Sequence, residues 1–565
     1  MKRYMLSLVL SFFVLFSYAQ WSDDAEINNE IYASAGEETL PKIAADTEGN
    51  TFIAFHSNNS GNYDVLLAYV DKDGYPIWEN VLVVSDHPQQ SWISDFDMKM
   101  DNNGNAVIAF SDIRNGNPEI YAYKISPQGD FLWGSDGIAC SGTPEPEYEP
   151  RLCVTDDNNV FITFIHPRET APDQMVITAI DPEGNKLLGE GGLLYTPENE
   201  ADYASPYVIA AGNDVIVVYS LSTGVFWSPD RLMYALKIDA TGEELWTEPA
   251  VVSEALGITG YTLLEIIPDK QGGVFISWHD DRDSDMISSS FVQHINTTGD
   301  ATLGEAGTEV ATQPGYHRFD PKLVLSDSSQ QEVMVFWRQT NSGQSEAGLF
   351  GQRLNSSGER VWEENGHEFI AIGSSFGLLH QVRQLNYEAS ETTTGQALLV
   401  YTKTGDGGGA FLHAMAVDHT AAPVWPVATS AISTNSSGLS NAVSTEMNQS
   451  QFVVAWQDSR ENNGIFAQNI RNDGSIGILN TQIAANRHNE VIVYPNPATT
   501  SVTIRNGNFD QVIIYNMAGQ IVKQQELTPH SDMYFQPYRS GLFFVTFVDG
   551  KRSITKKLII VKLKQ

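Results

Sequence analysis

The chain predicts an all-β fold: an eight-bladed β-propeller, alternatively seven-bladed, followed by a small Ig-like β-sandwich. Three observations predict it. An apolar run ending in an aromatic recurs eight times, at Thr51–Phe55, Ala106–Phe110, Val160–Phe164, Val215–Tyr219, Val274–Trp278, Val333–Trp337, Ala397–Tyr401 and Phe452–Trp456; the spacings are 55, 54, 55, 59, 59, 64 and 55. Each run precedes a second apolar strand and a tight turn at Gly74, Gly129, Gly184, Gly242, Gly299, Gly358, Ala421 or Gly474. Four residues beyond stands a bulky apolar side chain: Trp78, Trp133, Leu188, Trp246, Leu303, Trp362, Trp425 or Ile478. Composition agrees, since 45 glycines, 24 prolines and 10% aromatics suit turns and strands more than helices.

Taken in order, Lys2 and Arg3 precede the apolar run Met5–Phe16 and the small-residue site Ser17-Tyr18-Ala19. This predicts a secretory signal peptide over 1–19, too short to span a bilayer, and no later run is long enough. The propeller is expected over 20–485. Its second unit illustrates the four strands of each blade: Asp97–Met100, Ala106–Phe110, Ile120–Ile125 and Phe131–Cys140. The seventh unit is the most irregular, with an insertion over Asn386–Gly395. Asn29–Ser34 resembles Gly137–Ser141 and is a candidate outer strand for the last blade; Ser475–Ala484 competes for that place. Cys140 and Cys153, the only cysteines, fall on the outermost strand of one unit and the innermost of the next. Crossing a blade covers about 14 Å, whereas a disulfide needs Cα atoms within about 7 Å.

Charge differs along the chain. The net charge is −37; residues 1–19 contribute +2, and residues 489–565, with nine Lys/Arg against five Asp/Glu, contribute +4, leaving −43 on the body. So acidic a body repels nucleic acid and anionic lipid, which bind through lysines and arginines that replace counterions, and no nucleic acid partner is expected. It keeps a secreted protein soluble and leaves cationic ligands, neutral glycans and divalent cations open.

The C-terminal segment carries short apolar runs at Val491–Tyr494, Ser501–Ile504, Gln511–Tyr515, Leu542–Phe547 and Lys557–Val561, read as a small sandwich over 493–565 after a linker at 486–492. Tyr494-Pro495-Asn496-Pro497, then Val512–Gly519, then Gly541-Leu542-Phe543, then Lys556-Lys557 follow in order. This segment resembles the type A C-terminal sorting domain of the type IX secretion system of Gram-negative bacteria, with Phe543 where the family usually has tyrosine. The resemblance implies the secretion machinery as a partner, passage across the outer membrane, and release or anchoring at the cell surface. It implies no catalysis.

Several residues of the body have the chemistry of a site. Asp stands two and Arg four residues after the aromatic in three units: Asp112/Arg114, Asp280/Arg282 and Asp458/Arg460; the third unit has His166/Arg168. Such pairs either ring a rim that grips a polar ligand or cap their own loops. His279–Asp285 is the densest ionisable run, and with His317 it is a candidate for metal binding or acid–base chemistry. His56, His166 and His279 directly follow central strands. Asp71–Gly74 and Arg471–Gly474 resemble calcium loops only faintly and are too short to supply six to eight oxygens; no other cofactor is indicated. No nucleophile elbow, zinc-protease helix or phosphate loop is present. The function expected is therefore non-catalytic recognition of an extracellular glycan or protein. The alternatives are a polysaccharide hydrolase or lyase using carboxylates around the central opening, and a passive surface-layer component.

Overall fold

The computed structural model describes residues 20–478 and 492–560, apart from 88–94, 143–144, 198–199, 226–227, 259–261, 374, 386–394, 406–408, 461–462, 495–501, 506–508, 518, 528–531, 537–539 and 549–552. The expected signal peptide and most of the expected linker lie outside them. The chain divides into two compact units, Met1–Gly477 and Ile478–Gln565, and every regular element among the described residues is a β-strand.

The first unit holds eight four-stranded antiparallel sheets, each following a recurring apolar run. The second strands Thr51–Ser57, Ala106–Asp112, Val160–His166 and Val274–Asp280 are buried along their whole length. Their β-branched and aromatic residues point both ways because a neighbouring sheet covers each face. The core is accordingly split into layers between successive sheets: Phe52 and Phe110 share one cluster, Val107 and Phe164 the next. First strands of consecutive sheets adjoin, and that of the eighth sheet, Ser440–Ser444, adjoins that of the first, Glu38–Ala45.

A tryptophan fastens most of these junctions. The indole N–H groups of Trp78, Trp133, Trp246, Trp362 and Trp425 donate to carbonyls of the following sheet's turn, at Pro127, Pro182, Thr297, His419 and Asn472 (2.9–3.2 Å). Glycine is required where the indole closes on the turn: Gly474 has φ +83° and a Cβ would meet the Trp425 ring at 2.6 Å, whereas the seventh unit accommodates Ala421 at φ +65°.

Closure uses the N-terminal segment. Asn29–Ala33 pairs antiparallel with Gly464–Ala467 as the outer strand of the eighth sheet. Trp21 donates to Lys72 O at 2.9 Å and covers Gly74, so it fastens the eighth sheet to the first, where the repeat has only Ile478.

Three details differ from the sequence expectation or complete it. The fourth strand of the second sheet is only Ile138–Ala139, not Phe131–Cys140. Gly134 and Gly137, both at positive φ, turn the chain between it and Phe131, which keeps a single bridge to Ile125. Both cysteines are free and buried in different inter-sheet layers. First strands carry a bulge at a residue of positive φ before a proline: Leu40-Pro41, Glu149-Pro150, Ser205-Pro206 and Asp320-Pro321.

In the second unit, a three-stranded sheet (Ile492–Tyr494, Val502–Arg505, Asp532–Phe535) and a four-stranded sheet (Gln511–Asn516, Ile521–Glu526, Gly541–Val548, Ser553–Ile560) share one core containing Ile504, Ile514, Val545 and Leu558.

Candidate functional site

The meander puts the loop between second and third strands, and the connection to the next sheet, at one end of every sheet; the two hairpin turns lie at the other end. The Asp–Arg pairs lie at the first end. There each guanidinium is taken up by its own aspartate and by neighbouring acceptors. Arg114 binds both oxygens of the buried Asp112 (2.5–3.0 Å), Asp136 O at 2.7 Å and the Tyr123 hydroxyl, and lies 3.6 Å from the Tyr121 ring centre. Arg282 repeats this with Asp280 (2.7–2.9 Å), Ala306 O and the Phe291 ring at 3.3 Å. Arg460 binds Asp458 at 2.9 Å, Asn28 Oδ1 at 2.6 Å and the Phe466 ring. The Trp278 and Trp456 indoles also donate to Asp280 and Asp458. Each pair ties strand end, loop and ring into a clamp. Arg168 is held instead by Pro172 O at 2.5–2.7 Å, with His166 buried nearby and pushed below its ordinary pKa by burial.

The calcium-like turns are closed on themselves: Asp71 Oδ1 accepts the amides of Asp73 and Tyr75. Among the described residues no group of three His, Cys, Asp or Glu side chains is disposed to hold a metal ion. His279 and His317 come together around Phe319, His317 stacked at 5.1 Å and His279 edge-on at 5.3 Å. His56 packs edge-on against Phe96 in another sheet.

The densest polar site lies where first strands line the axis. Opposite the residue just before each aromatic stand Lys42, Asp97, Arg151, Tyr207, Glu265, Lys322, Gln381 and Val443. All are half-buried, and the next residue is buried in most sheets, as strand alternation requires. Ion pairs join neighbouring first strands: Asp95 with Lys42 at 2.7 Å and Arg151 at 3.1 Å, and Glu265 with Lys322 at 3.1 Å. Burial works to raise the Asp95 pKa, but Lys42 and Arg151 outweigh it and hold the carboxyl low.

Around this ring, toward the loop end, stand His279, Asp320, Arg338, His380 and Arg231. Asp320 lies 3.8 Å from His279 Nδ1, and its amide donates to that nitrogen at 3.4 Å, which assigns the ring proton to Nε2. Burial pushes His279 below its ordinary value and His380 down to about 4, helped there by Lys322. Arg338 Nε donates to Gly377 O at 3.0 Å, and among the described residues no carboxylate lies within ion-pair distance of it. The Arg231 side chain, on the long hairpin Asp214–Val225/Ser228–Ile238, has neither hydrogen bond nor ion pair among the described residues, and its Nε is buried. At the opposite end a separate cavity of about 660 Å³ is lined by Lys99, Cys153, Asp156, Ala211 and Lys270. The axial residues were missed in the sequence; the signal was the repeated Leu40-Pro41-Lys42, Glu149-Pro150-Arg151, Ser205-Pro206-Tyr207 and Asp320-Pro321-Lys322.

Of the sorting motif, Tyr494, Gly541, Lys556 and Lys557 lie on strands and Gly519 in a turn; Pro495, Asn496 and Pro497 lie outside the described residues. Residues 492–561 match the family of the secretion system C-terminal sorting domain. The chain therefore ends in a type IX sorting tail, which marks it for export to the cell surface or the medium by the secretion machinery. Among the described residues no helix is long and apolar enough to cross a membrane.

No curated relative matches the chain. Solved structures similar to it include a protein of unknown function from Dyadobacter fermentans (11% identity, 79% of this chain and 98% of that one, TM-score 0.38). Others are an ulvan lyase of a polysaccharide lyase family (12%, 80% and 98%, 0.43) and an α-L-arabinanase from Penicillium chrysogenum (13%, 58% and 93%, 0.31). TM-scores this low carry no activity across.

Proposed function

We propose that the mature protein is an exported eight-bladed β-propeller with an Ig-like sorting sandwich, and that it binds an extracellular glycan or protein without transforming it. Eight sheets whose first strands adjoin in a closed order support the blade count. The binding surface is the axial mouth at the loop end. The observation that carries this is the contrast in polar saturation: the rim Asp–Arg pairs are used up by their own aspartates and neighbouring acceptors, while among the described residues Arg231 and Arg338 have no carboxylate within ion-pair distance. His279 Nδ1, the acceptor nitrogen of a candidate base, is turned to a backbone amide, which favours binding over proton transfer.

A second reading, an enzyme acting on polysaccharide, is favoured by the convergence of His279, Asp320, Lys322 and Glu265 on one mouth. One experiment separates the two. The secreted protein is passed over immobilised polysaccharides and extracellular proteins while bound material and released fragments are scored together. Retention without fragments is expected; fragments that vanish with His279→Ala establish the enzyme instead.

A further inference from the structure

Among the described residues of the body, eight of twelve arginines lie within ion-pair distance of a carboxylate; Arg168 and Arg471 bond a carbonyl close in their own sequence, Pro172 O and Gly477 O, and Arg231 and Arg338 are the other two without an ion pair. Arg338 occupies the position directly after the aromatic, where the other units have His56, Ser111, Ile165, Ser220, His279, Thr402 and Gln457. It is the only cation at that place in the repeat. The same sheet has lost the clamp: Gln339 replaces the aspartate and accepts the Trp337 indole at 3.1 Å. Arg338 therefore holds no loop together. Burial opposes its charge and that of Arg231, and the carboxylates that act on them at longer range, Asp320 and Glu149, only partly offset it.

Resting on the binding reading above, we propose that the axial mouth takes an anionic sugar unit, with Arg338 or Arg231 receiving its carboxylate or sulfate group and Tyr207 offering a face to the ring. Among the described residues neither guanidinium has a carboxylate within ion-pair distance, and a guanidinium so placed in a body of net charge −43 matches the geometry of an oxyanion. The same acidic body repels a polyanion at long range, but over a Debye length of about 8 Å that repulsion is screened, while recessed charges act at contact. Tyr207, half-buried on the ring of first strands with the Arg151 guanidinium 5.4 Å from its ring centre, is the kind of aromatic face a sugar ring packs on.

The test uses the full mature protein and short oligosaccharides in titration calorimetry: oligogalacturonate for carboxylate, a sulfated carrageenan oligomer for sulfate, and a neutral maltooligosaccharide. Binding to one or both anionic probes and none to the neutral one is expected, and the arm that binds names the group. Arg338→Gln should weaken it by about tenfold or more, the scale of one charge-assisted contact. Arg338→Lys should recover part of the loss, and Lys72→Gln, at an exposed remote pair, should leave affinity unchanged. Melting curves of each variant separate unfolding from lost contact. Equal binding of the neutral probe, or anionic binding untouched by both Arg338→Gln and Arg231→Gln, overturns the anionic assignment while leaving the protein a binder. No binding to any oligosaccharide, together with no retention on the polymer and protein panel, overturns both.

Discussion

Arg282 and Arg338 sit at the same end of adjacent sheets and have opposite fates. Arg282 bonds twice to its own Asp280, once to Ala306 O, and lies on the Phe291 ring; Arg338 has a single carbonyl. The first obeys the repeat and the second breaks it. A charge that recurs with the period of the fold is available to every unit and is consumed in building each one. A charge found in one unit alone has no such use, and it is the one left for a ligand.

The largest expected effect comes from breaking a clamp. Asp280→Ala leaves Arg282 buried without its counter-ion and deprives the Trp278 indole of its acceptor. Removing one partner of a buried pair costs about 3–5 kcal/mol. Thermal denaturation should show a clear drop in Tm, whereas Arg338→Gln should shift it little. If Arg338→Gln destabilises as strongly as Asp280→Ala, the two arginines are the same kind of residue and the distinction fails.

The eighth-sheet clamp adds a different case, because it reaches across to the N-terminal segment. Asn28 Nδ2 donates to Ile432 O at 3.0 Å, and its Oδ1 accepts from Ser433 and Arg460. Asn28→Ala should cost about 1–3 kcal/mol, the penalty for buried polar groups left unpaired. It should also increase proteolytic nicking ahead of Asn29 in limited digestion. An unchanged melt would mean that strand pairing alone closes the ring.

How much of this was legible in the sequence follows from what repeats. The aromatic runs, the turn glycines and the Asp–Arg pairs recur with local spacing, so self-comparison finds them. The role of Trp21 was not legible: it replaces a residue more than four hundred positions away, and only closure brings the two together. The axial ring was half legible. Its basic residues follow a proline in Lys42, Arg151 and Lys322, but they sit after bulges at positive φ, and a one-residue bulge reverses which face an alternating strand presents. Without the bulge, the strand pattern cannot say which side chain meets the axis.

Acidification probes the axial side of the comparison. His380 is held at about 4 in the fold by burial and by Lys322, and His413 at about 4 by burial and Lys403, against about 6.5 unfolded. Below about 6.5 the unfolded chain takes up protons that the fold refuses, so their contribution is intact above that pH and declines as pH falls toward about 4. Tm should therefore fall across this window. His380→Gln should flatten the decline, and an equally steep profile in that variant would place the sensitivity elsewhere.

The smallest effect expected concerns the thiols, which serve as a control on the inter-sheet layers. Cys140 and Cys153 are both buried, and burial raises both pKa values, so little thiolate forms near neutral pH. They belong to different layers, so neither finds the other even in an oxidising compartment. A thiol reagent should label neither in the native protein and both after denaturation, and reductant should leave Tm unchanged. The two sites are not equivalent, however: Cys153 borders the cavity at the turn end, while Cys140 is fully enclosed. Slow labelling at Cys153 with none at Cys140 would therefore report opening of the axial lining while the sheet-to-sheet layers stay shut, and the reverse order would mean that the layers themselves breathe first.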